Sequence, residues 1–152
     1  MFQLQTIQNI PSDIATVWDF ISSPRNLKII TPEFMGFDIT GNIDGDKMYQ
    51  GMIISYKVSP MFGLKMNWTT EITHVKEYEY FVDEQRFGPY KFWHHKHFIK
   101  SIPNGVEMRD IIDYKIGYGF IGDLVNQMIV KKQLKTIFDY RYKKIEEIFG
   151  RY

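Results

Sequence analysis

The chain has 152 residues, no cysteine and a formal net charge of +1. That length suits a single domain over residues 1–152 with a sizeable core, and the near-zero charge argues against a nucleic-acid-binding protein. The lack of cysteine excludes disulfides, a thiol nucleophile and Cys-ligated metal sites. The N-terminal residues lack the features of a signal peptide, and no apolar run is long enough to span a bilayer, so we expect a cytoplasmic protein without a transmembrane segment.

The first segment predicts a strand followed by two short helices. Apolar and polar residues alternate through most of Phe2–Ile10, as a half-buried strand requires. Ser12 can cap a helix of about three turns, in which apolar residues recur at helical spacing from Ile14 to Ile21. A second short helix is expected over Arg25–Ile30, because the Thr-Pro pair that follows stops it.

Strand patterning takes over in the middle of the chain. The further predicted strands are Phe37–Thr40, Lys47–Lys57, Leu64–Val75, Tyr78–Phe87, the histidine-containing run after Gly88-Pro89 and the run after Pro103-Asn104-Gly105. With the first strand this makes seven, and the hairpin-like links predict an antiparallel sheet. The apolar loop Ser59–Gly63 either folds back on the domain or acts as a lid or contact surface.

The last segment predicts a long C-terminal helix. Residues Ile121–Phe149 contain neither proline nor glycine after Gly122. Their apolar residues form two stripes that are offset around the helix axis, before and after Lys131–Gln133. That polar segment is either a solvated turn or the part that closes one end of a cavity between helix and sheet.

Asp110 is the most unusual residue in the strand patterns. Successive strand side chains point to opposite faces, so Met108, Ile112 and Tyr114 share the expected core face. Asp110 falls on that same face. An ionised carboxylate there must find a partner, shift its pKa or meet water in a cavity.

The preceding run places aromatic rings and imidazoles on the inner face. Lys96 should be solvated, so Trp93, His95 and His97 point inwards. The same alternation in the earlier strand turns Trp68 towards the core.

The register of the last hairpin brings the polar groups together. If Asn104-Gly105 are the central residues of a tight turn, His97 lies diagonal to Asp110 and His95 lies opposite Tyr114. Two imidazoles, a carboxylate and a phenol then converge on one patch. The patch either serves binding or catalysis, or its members simply satisfy one another.

Asp83 and Gln85 join this patch if the Gly88-Pro89 turn is a three-residue loop. We favour that loop because it places Phe81 on the core side. A two-residue loop would instead turn the other face of the strand inwards.

His95, His97, Asp110 and Tyr114 are the candidate catalytic residues. A histidine held by a carboxylate can act as a general base, and Tyr114 could donate to a developing enolate, which suits dehydration or aldol-type cyclisation. No Gly-x-Ser-x-Gly nucleophile elbow is present. A metal held by His95, His97 and Asp110 is a third possibility. The run carries no stronger metal signature, so we predict no metal or other cofactor.

The order of elements and several motifs resemble a known family. The motifs are Asp83-Glu84-Gln85-Arg86-Phe87-Gly88-Pro89-Tyr90, Trp93-His94-His95-Lys96-His97-Phe98, Met108-Arg109-Asp110 and Tyr114. They resemble the START-like, or SRPBCC, superfamily, in particular a bacterial subgroup of small stand-alone proteins in the polyketide cyclase/dehydrase and lipid-transport group. The resemblance covers essentially the whole chain. It implies the α+β helix-grip fold, in which a long C-terminal helix packs across the concave face of a curved seven-stranded antiparallel sheet.

The resemblance also implies a hydrophobic or amphipathic ligand between sheet and helix, without implying one reaction. The predicted ligand-binding residues are Trp68, Phe81, Asp83, Gln85, Trp93, His95, His97, Met108, Asp110, Ile112, Tyr114 and Met128. We therefore expect a protein that binds a small molecule of this kind. Two alternatives stay open: a cyclase- or dehydratase-type enzyme that uses the same pocket, and a protein-interaction module with a filled core.

Overall fold

The computed structural model describes residues 1–43, 45–61, 64–117, 124 and 129–152. Seven strands within these ranges form one antiparallel sheet in the order β1-β7-β6-β5-β4-β3-β2. They are β1 (Phe2–Ile10), β2 (Asp38–Ile39), β3 (Ile53–Met61), β4 (Leu64–Lys76), β5 (Tyr80–Phe87), β6 (Phe92–Ile102) and β7 (Gly105–Lys115). Helices α1 (Ile14–Ile21) and α2 (Lys131–Phe149) accompany them. The sheet is curved and the long C-terminal helix packs against it, which confirms the predicted α+β helix-grip fold.

The N-cap of helix α1 lies one residue later than the sequence predicts. Asp13 rather than Ser12 is the N-cap, and its carboxylate accepts hydrogen bonds from the Thr16 amide at 2.9 Å and the Thr16 hydroxyl at 2.6 Å. An acidic cap satisfies one of the free amides of the first turn and interacts favourably with the helix dipole. The second predicted helix is a 3-10 helix over Pro24–Lys28, and a further 3-10 turn covers Glu33–Met35.

The strand β3 starts and ends later than the sequence predicts. The first part of the predicted strand Lys47–Lys57 is wrong. Met48 and Met52 are buried in the core, but the backbone there is irregular and turns at Gly51, where φ is +90°. At its other end β3 continues to Met61, with an irregular register between Val58 and Met61. Such an irregularity accommodates a proline, which has no amide to donate to the ladder. Phe62 and Gly63 of the predicted loop lie outside the described residues.

The hairpin between β6 and β7 turns at different residues from those expected. Ile102 pairs with Gly105, so Pro103 and Asn104 form the turn, and Asn104 has a φ of +62°. Proline followed by a residue with positive φ is typical of a type II turn. The predicted turn at Asn104-Gly105 is therefore wrong.

This turn shifts every predicted cross-strand pair by two residues and leaves the faces unchanged. His97 pairs directly with Asp110, and His95 pairs with Ile112 rather than with Tyr114. A shift of two residues preserves the alternation of side chains. The inner face predicted for β7 is thus confirmed, since Met108, Asp110, Ile112 and Tyr114 are all buried.

The helix α2 turns one face towards the sheet. Leu134 and Ile145 are buried on this face, together with Arg141. The helix was expected to begin near Ile121, but residues 118–123 and 125–128 lie outside the described part of the chain. None of the described helices combines the length and the apolar character needed to cross a membrane.

The close approach of β1 and β7 allows a direct test of the sheet. A Cβ atom added at Gly105 would collide with the backbone carbonyl oxygen of Ile10. We expect Gly105→Ala to lower the free energy of unfolding by about 2–3 kcal/mol, because overpacking a rigid site costs energy of this order. Urea unfolding measures the loss.

The matched control is Gly117→Ala, where the new Cβ would meet nothing within 4 Å. This control should change the unfolding midpoint little. Equal losses in both variants, or no loss in Gly105→Ala, would contradict the described pairing of β1 with β7.

Candidate functional site: a charged cluster in the wall of an apolar cavity

A cavity of about 170 Å³ lies between the sheet and α2. Strands β3, β4, β5 and β6, the segment between α1 and β3, and α2 all contribute to its wall. The lining residues are Leu27, Ile30, Thr31, Met35, Phe37, Met48, Ile54, Tyr56, Val58, Trp68, Thr70, Ile72, Phe81, Asp83, Tyr90, Trp93, His95, His97, Gln133, Leu134, Ile137, Phe138 and Arg141. Most of this wall is apolar or aromatic, and a short row of polar groups interrupts it.

Four aromatic rings form one part of the wall. The Trp68 ring lies 5.2 Å from Trp93, 5.4 Å from Tyr90 and 5.9 Å from Tyr56, measured between centroids. The Trp68 indole Nε1 is buried and has no hydrogen-bond partner within the described residues. Buried N–H groups normally find an acceptor, so this donor, on a residue that lines the cavity, is unusual among the described residues.

Two carboxylates cap the two ends of a pair of imidazoles. The ring centroids of His95 and His97 are 3.7 Å apart. Asp83 Oδ2 lies 3.3 Å from His95 Nδ1 and 2.9 Å from His97 Nε2. At the other end, Asp110 Oδ1 lies 3.1 Å from His95 Nε2 and 2.8 Å from His97 Nδ1. The contact between Asp110 Oδ1 and His97 Nδ1 is short enough for an ion pair, but it lacks the alignment of a hydrogen bond.

Alternation along three adjacent strands produces this cluster. Asp83 on β5 pairs with His95 on β6, and His97 pairs with Asp110 on β7. Residues two apart on one strand share a face, so both imidazoles point to the concave side. Phe81 stacks on His97 with a centroid separation of 4.1 Å, which fixes the ring from the cavity side.

Arg141 completes the cluster from the helix. Its Nη1 lies 3.4 Å from Asp110 Oδ1, and its guanidinium carbon lies 5.6 Å from the centroid of the Phe138 ring. The residue is only 8% exposed. Arg141 therefore brings a cation into the interior, where it compensates the Asp110 carboxylate.

The two carboxylates stay ionised because the imidazoles, and for Asp110 also Arg141, lie against them. Burial by itself would raise the pKa of Asp110, but attraction to Arg141 and its contacts with the two histidines hold that pKa well below its usual range. Burial also opposes ionisation of Asp83, and attraction to His95 and His97 outweighs it, so this pKa is lowered as well. Both carboxyl groups are charged at neutral pH.

The two imidazoles differ in their proton affinity. Burial, together with repulsion from His97, lowers the pKa of His95 to about 4. Burial also acts to lower the pKa of His97, but the contacts with Asp110 and Asp83 prevail and raise it. When His97 is protonated, its charge and that of Arg141 balance the two carboxylates.

Six of the predicted ligand-binding residues line the cavity, namely Trp68, Phe81, Asp83, Trp93, His95 and His97. Asp110 lies behind the imidazoles and contacts them from the far side of the cluster. Gln85 does not line the cavity: its amide donates to the Tyr90 carbonyl at 2.6 Å and accepts from the Tyr90 amide at 3.1 Å. These bonds close the loop between β5 and β6.

The remaining predicted residues lie elsewhere in the interior. Met108 packs in the main apolar core, and Ile112 and Tyr114 pack in a second cluster with Leu134. The corrected hairpin register separates Tyr114 from His95, since Tyr114 pairs with Trp93. Met128 lies outside the described residues.

Alternation along the strands does not reveal the contribution of α2. Leu134, Phe138, Arg141 and Ile145 are spaced by four, three and four residues, so they share one helical stripe. A charged residue on an apolar stripe was the available signal for Arg141, and it matches Asp110, the carboxylate on the expected core face of the sheet. Gln133, in the polar segment at the helix start, also lines the cavity.

Comparisons with known proteins give the fold but no family. No family model matches the sequence, and no curated protein matches it. The chain is similar to the crystal structure of TTHA0849 from Thermus thermophilus, with a TM-score of 0.71 and 12% identity over 96% of this chain and 95% of that chain. It is similar to ginseng major latex-like protein 151 from Panax ginseng, with a TM-score of 0.67 and 14% identity over 97% of both chains.

Ara h 8.0201 is a third structural neighbour, with a TM-score of 0.62 and 13% identity over 96% of this chain and 98% of that chain. At such low identity these likenesses show the shared fold alone. The architecture with a helix packed across a curved sheet is therefore common to proteins of very different sequence.

Removing Arg141 should show how strongly the cluster depends on the helix. We expect Arg141→Met to lower the free energy of unfolding by about 3–5 kcal/mol, because a buried carboxylate loses its cationic partner. Adding Asp110→Asn to this variant should recover part of the loss. Chemical denaturation of the single and double variants measures the coupling.

Lys135→Met is the matched control on the same helix. Lys135 Nζ contacts Asp139 at 2.6 Å, a shorter distance than that of the Arg141 pair, but the Lys135 side chain is 71% exposed. Exposed ion pairs contribute little, so this change should be far smaller. Similar losses at the two sites would show that burial of the cluster is not what makes Arg141 important.

Proposed function

We propose that the protein binds a small, mainly apolar molecule carrying one neutral oxygen group in the cavity between the sheet and α2. The observation that carries this proposal is the cavity itself, an apolar space lined in part by Trp68, whose buried indole N–H has no hydrogen-bond partner among the described residues. Binding pockets for small molecules combine such apolar walls with a few placed polar groups.

The volume of the cavity supports a ligand about the size of one aromatic ring. An engineered apolar cavity of about 150 Å³ binds benzene, and this cavity has about 170 Å³. Pockets for drug-sized molecules are larger, at about 300–1,000 Å³. A phenol, a small aromatic ketone or a similar molecule therefore suits the described space better than a long acyl chain.

The charge of the cluster supports a neutral polar group on this ligand. Asp83 and Asp110 are balanced by Arg141 and protonated His97, so an additional charge from a ligand would lack a partner. Burying an unpaired charge is costly, whereas a hydroxyl or carbonyl oxygen needs only a hydrogen bond. Trp68 Nε1 can donate that bond to the oxygen.

Acid–base catalysis in the same pocket is the second candidate function. His95 is in the cavity wall, its pKa is lowered to about 4, and its Nε2 lies 3.1 Å from Asp110 Oδ1. A neutral imidazole held by a carboxylate is the arrangement of a general base. If His95→Gln preserved binding but abolished turnover of a candidate substrate, catalysis would be favoured over binding alone. The third alternative is a protein-interaction module with a filled core. The cavity argues against this alternative.

Filling the cavity should abolish binding of a one-ring probe. Ile54 lines the cavity and is 2% exposed, so Ile54→Phe should reduce the affinity for p-cresol at least tenfold. Isothermal titration calorimetry and NMR shifts of the tryptophan indoles measure the binding. The matched control is Ile53→Phe, on the opposite face of the same strand, where Ile53 is 49% exposed.

The control should bind p-cresol like the wild-type protein, and the thermal melts should show that both variants are folded. Failure of the wild-type protein to bind p-cresol or toluene, or equal binding by a folded Ile54→Phe variant, would refute the proposal.

The role of the indole N–H can be tested with a pair of probes. Trp68→Phe keeps an aromatic ring and removes the donor. We expect a loss of about 2- to 12-fold in affinity for p-cresol, since a hydrogen bond contributes about 0.5–1.5 kcal/mol. The affinity for toluene, which has no oxygen, should change much less. Equal losses for both probes would show that Trp68 acts only through its shape.

A further inference from the structure

Three side chains in the cavity wall present potential metal ligands to one another. Asp83, His95 and His97 each offer one ligating atom, and these atoms all lie within 4.8 Å of one another. The three residues belong to two adjacent strands and face the cavity, so a bound ion would keep coordination positions open to the cavity. Open positions distinguish reactive or ligand-binding metal sites from closed structural ones.

The distances within this set match a coordination shell. Asp83 Oδ2 lies 3.3 Å from His95 Nδ1 and 2.9 Å from His97 Nε2. Ligands placed at about 2.1 Å from one ion are separated by about 3.0 Å at right angles and about 3.4 Å at tetrahedral angles. The oxygen is therefore separated from each nitrogen as two ligands of a common ion would be, and all three atoms lie within 4.8 Å of one another.

Asp110 occupies the position of an outer partner for both histidines. It contacts the other nitrogen of each ring, His95 Nε2 at 3.1 Å and His97 Nδ1 at 2.8 Å. Metal-bound histidines usually donate their second N–H to a carboxylate, which fixes the tautomer and the ring orientation. Arg141 in turn holds Asp110, and Asp110 does not line the cavity.

The number of available protons also favours an ion at the Asp83 end. If all four nitrogen–oxygen contacts carried a proton, both rings would be cations although their centroids are only 3.7 Å apart, and only the contacts of His95 Nε2 with Asp110 and of His97 Nε2 with Asp83 have hydrogen-bond geometry. With fewer protons, at least one nitrogen lone pair faces a carboxylate oxygen. An ion bound to Asp83 and to one nitrogen of each neutral ring removes this conflict. His95 Nε2 then carries the N–H that Asp110 accepts, and the second nitrogen of His97, Nδ1, lies 2.8 Å from Asp110 Oδ1.

We propose that Asp83, His95 and His97 bind one divalent first-row transition-metal ion at the cavity wall, with Asp110 as the carboxylate that orients both imidazoles. Two imidazoles with one carboxylate and open positions form a ligand set used by zinc and by non-haem iron(II). The metal alternative drawn from the sequence used Asp110 as the third ligand. The structure replaces it with Asp83, because Asp83 faces the cavity and Asp110 lies behind the rings.

The test is the uptake of zinc and cobalt by the metal-stripped full chain. Titration with ZnCl₂ should show one ion per chain with micromolar or tighter affinity, and CoCl₂ should give visible absorption bands of a bound ion. Asp83→Asn and His95→Gln should each lower the zinc affinity at least about 100-fold, because each removes a ligand. Asp110→Asn should lower it about 10- to 100-fold, as loss of an outer partner does.

His94→Gln is the matched control, since His94 is the neighbour of His95 on the opposite face of β6. It also contacts a carboxylate, with Nδ1 2.7 Å from Glu84 Oε1. This variant should bind zinc like the wild-type protein. No uptake by folded wild-type protein, unchanged affinity in folded Asp83→Asn and His95→Gln variants, or an equal loss in His94→Gln would overturn the proposal.

NMR of the wild-type protein decides the question if a variant does not fold. Zinc should shift the ring nitrogen signals of His95 and His97 and leave those of His74 and His94 unchanged. Shifts at His74 or His94 alone would place the ion on the surface and overturn the proposal. The p-cresol experiment needs no metal, so the outcome for the metal site is separate from that for the cavity ligand.

Discussion

The Asp110 carboxylate is buried and the Asp83 carboxylate is 15% exposed between the sheet and the C-terminal helix, and the compensation of their charges is the constraint on which the site depends. Asp83 comes from β5 and Asp110 from β7, while the two imidazoles between them come from β6. Arg141 approaches from α2. An uncompensated buried charge costs several kcal/mol, so these four elements must keep their relative positions for the fold to be stable. The cluster therefore links the sheet to the helix at the edge of the cavity.

The cavity and the cluster together restrict what the protein can bind. In the proposed function, the aromatic wall around Trp68 offers apolar contact and the limited volume suits molecules of about one ring. Because the cluster can balance its own charges, this proposal favours a neutral oxygen group over a charged one. A metal ion that replaced protons between Asp83 and the imidazoles would change this balance of charges. A ligand oxygen could then bind the metal directly. A single wall thus supports both binding proposals, and separate measurements test them.

Much of this site follows from strand alternation, and the rest depends on contacts that alternation cannot reveal. The inner faces of β6 and β7 were predictable because Asp110 and His97 fall in clear period-2 patterns. The exact pairs were not, since the turn is formed by Pro103-Asn104 and its type sets the register. The position of Arg141 on an apolar stripe was a signal, but a charged residue in a helix is more often solvated, so its contact with Asp110 could not be predicted without the docking of α2. The irregular path through Met48 has no periodic signal at all.

The most direct test of the account is a crystal structure of the protein under xenon pressure. Xenon occupies dry apolar cavities of this size, so the account predicts one xenon atom in contact with Ile54, Trp68 and Phe81. The same electron density should show His95 and His97 enclosed between the carboxylates. Side chains that fill the space without xenon, or imidazoles turned out to solvent, would contradict it.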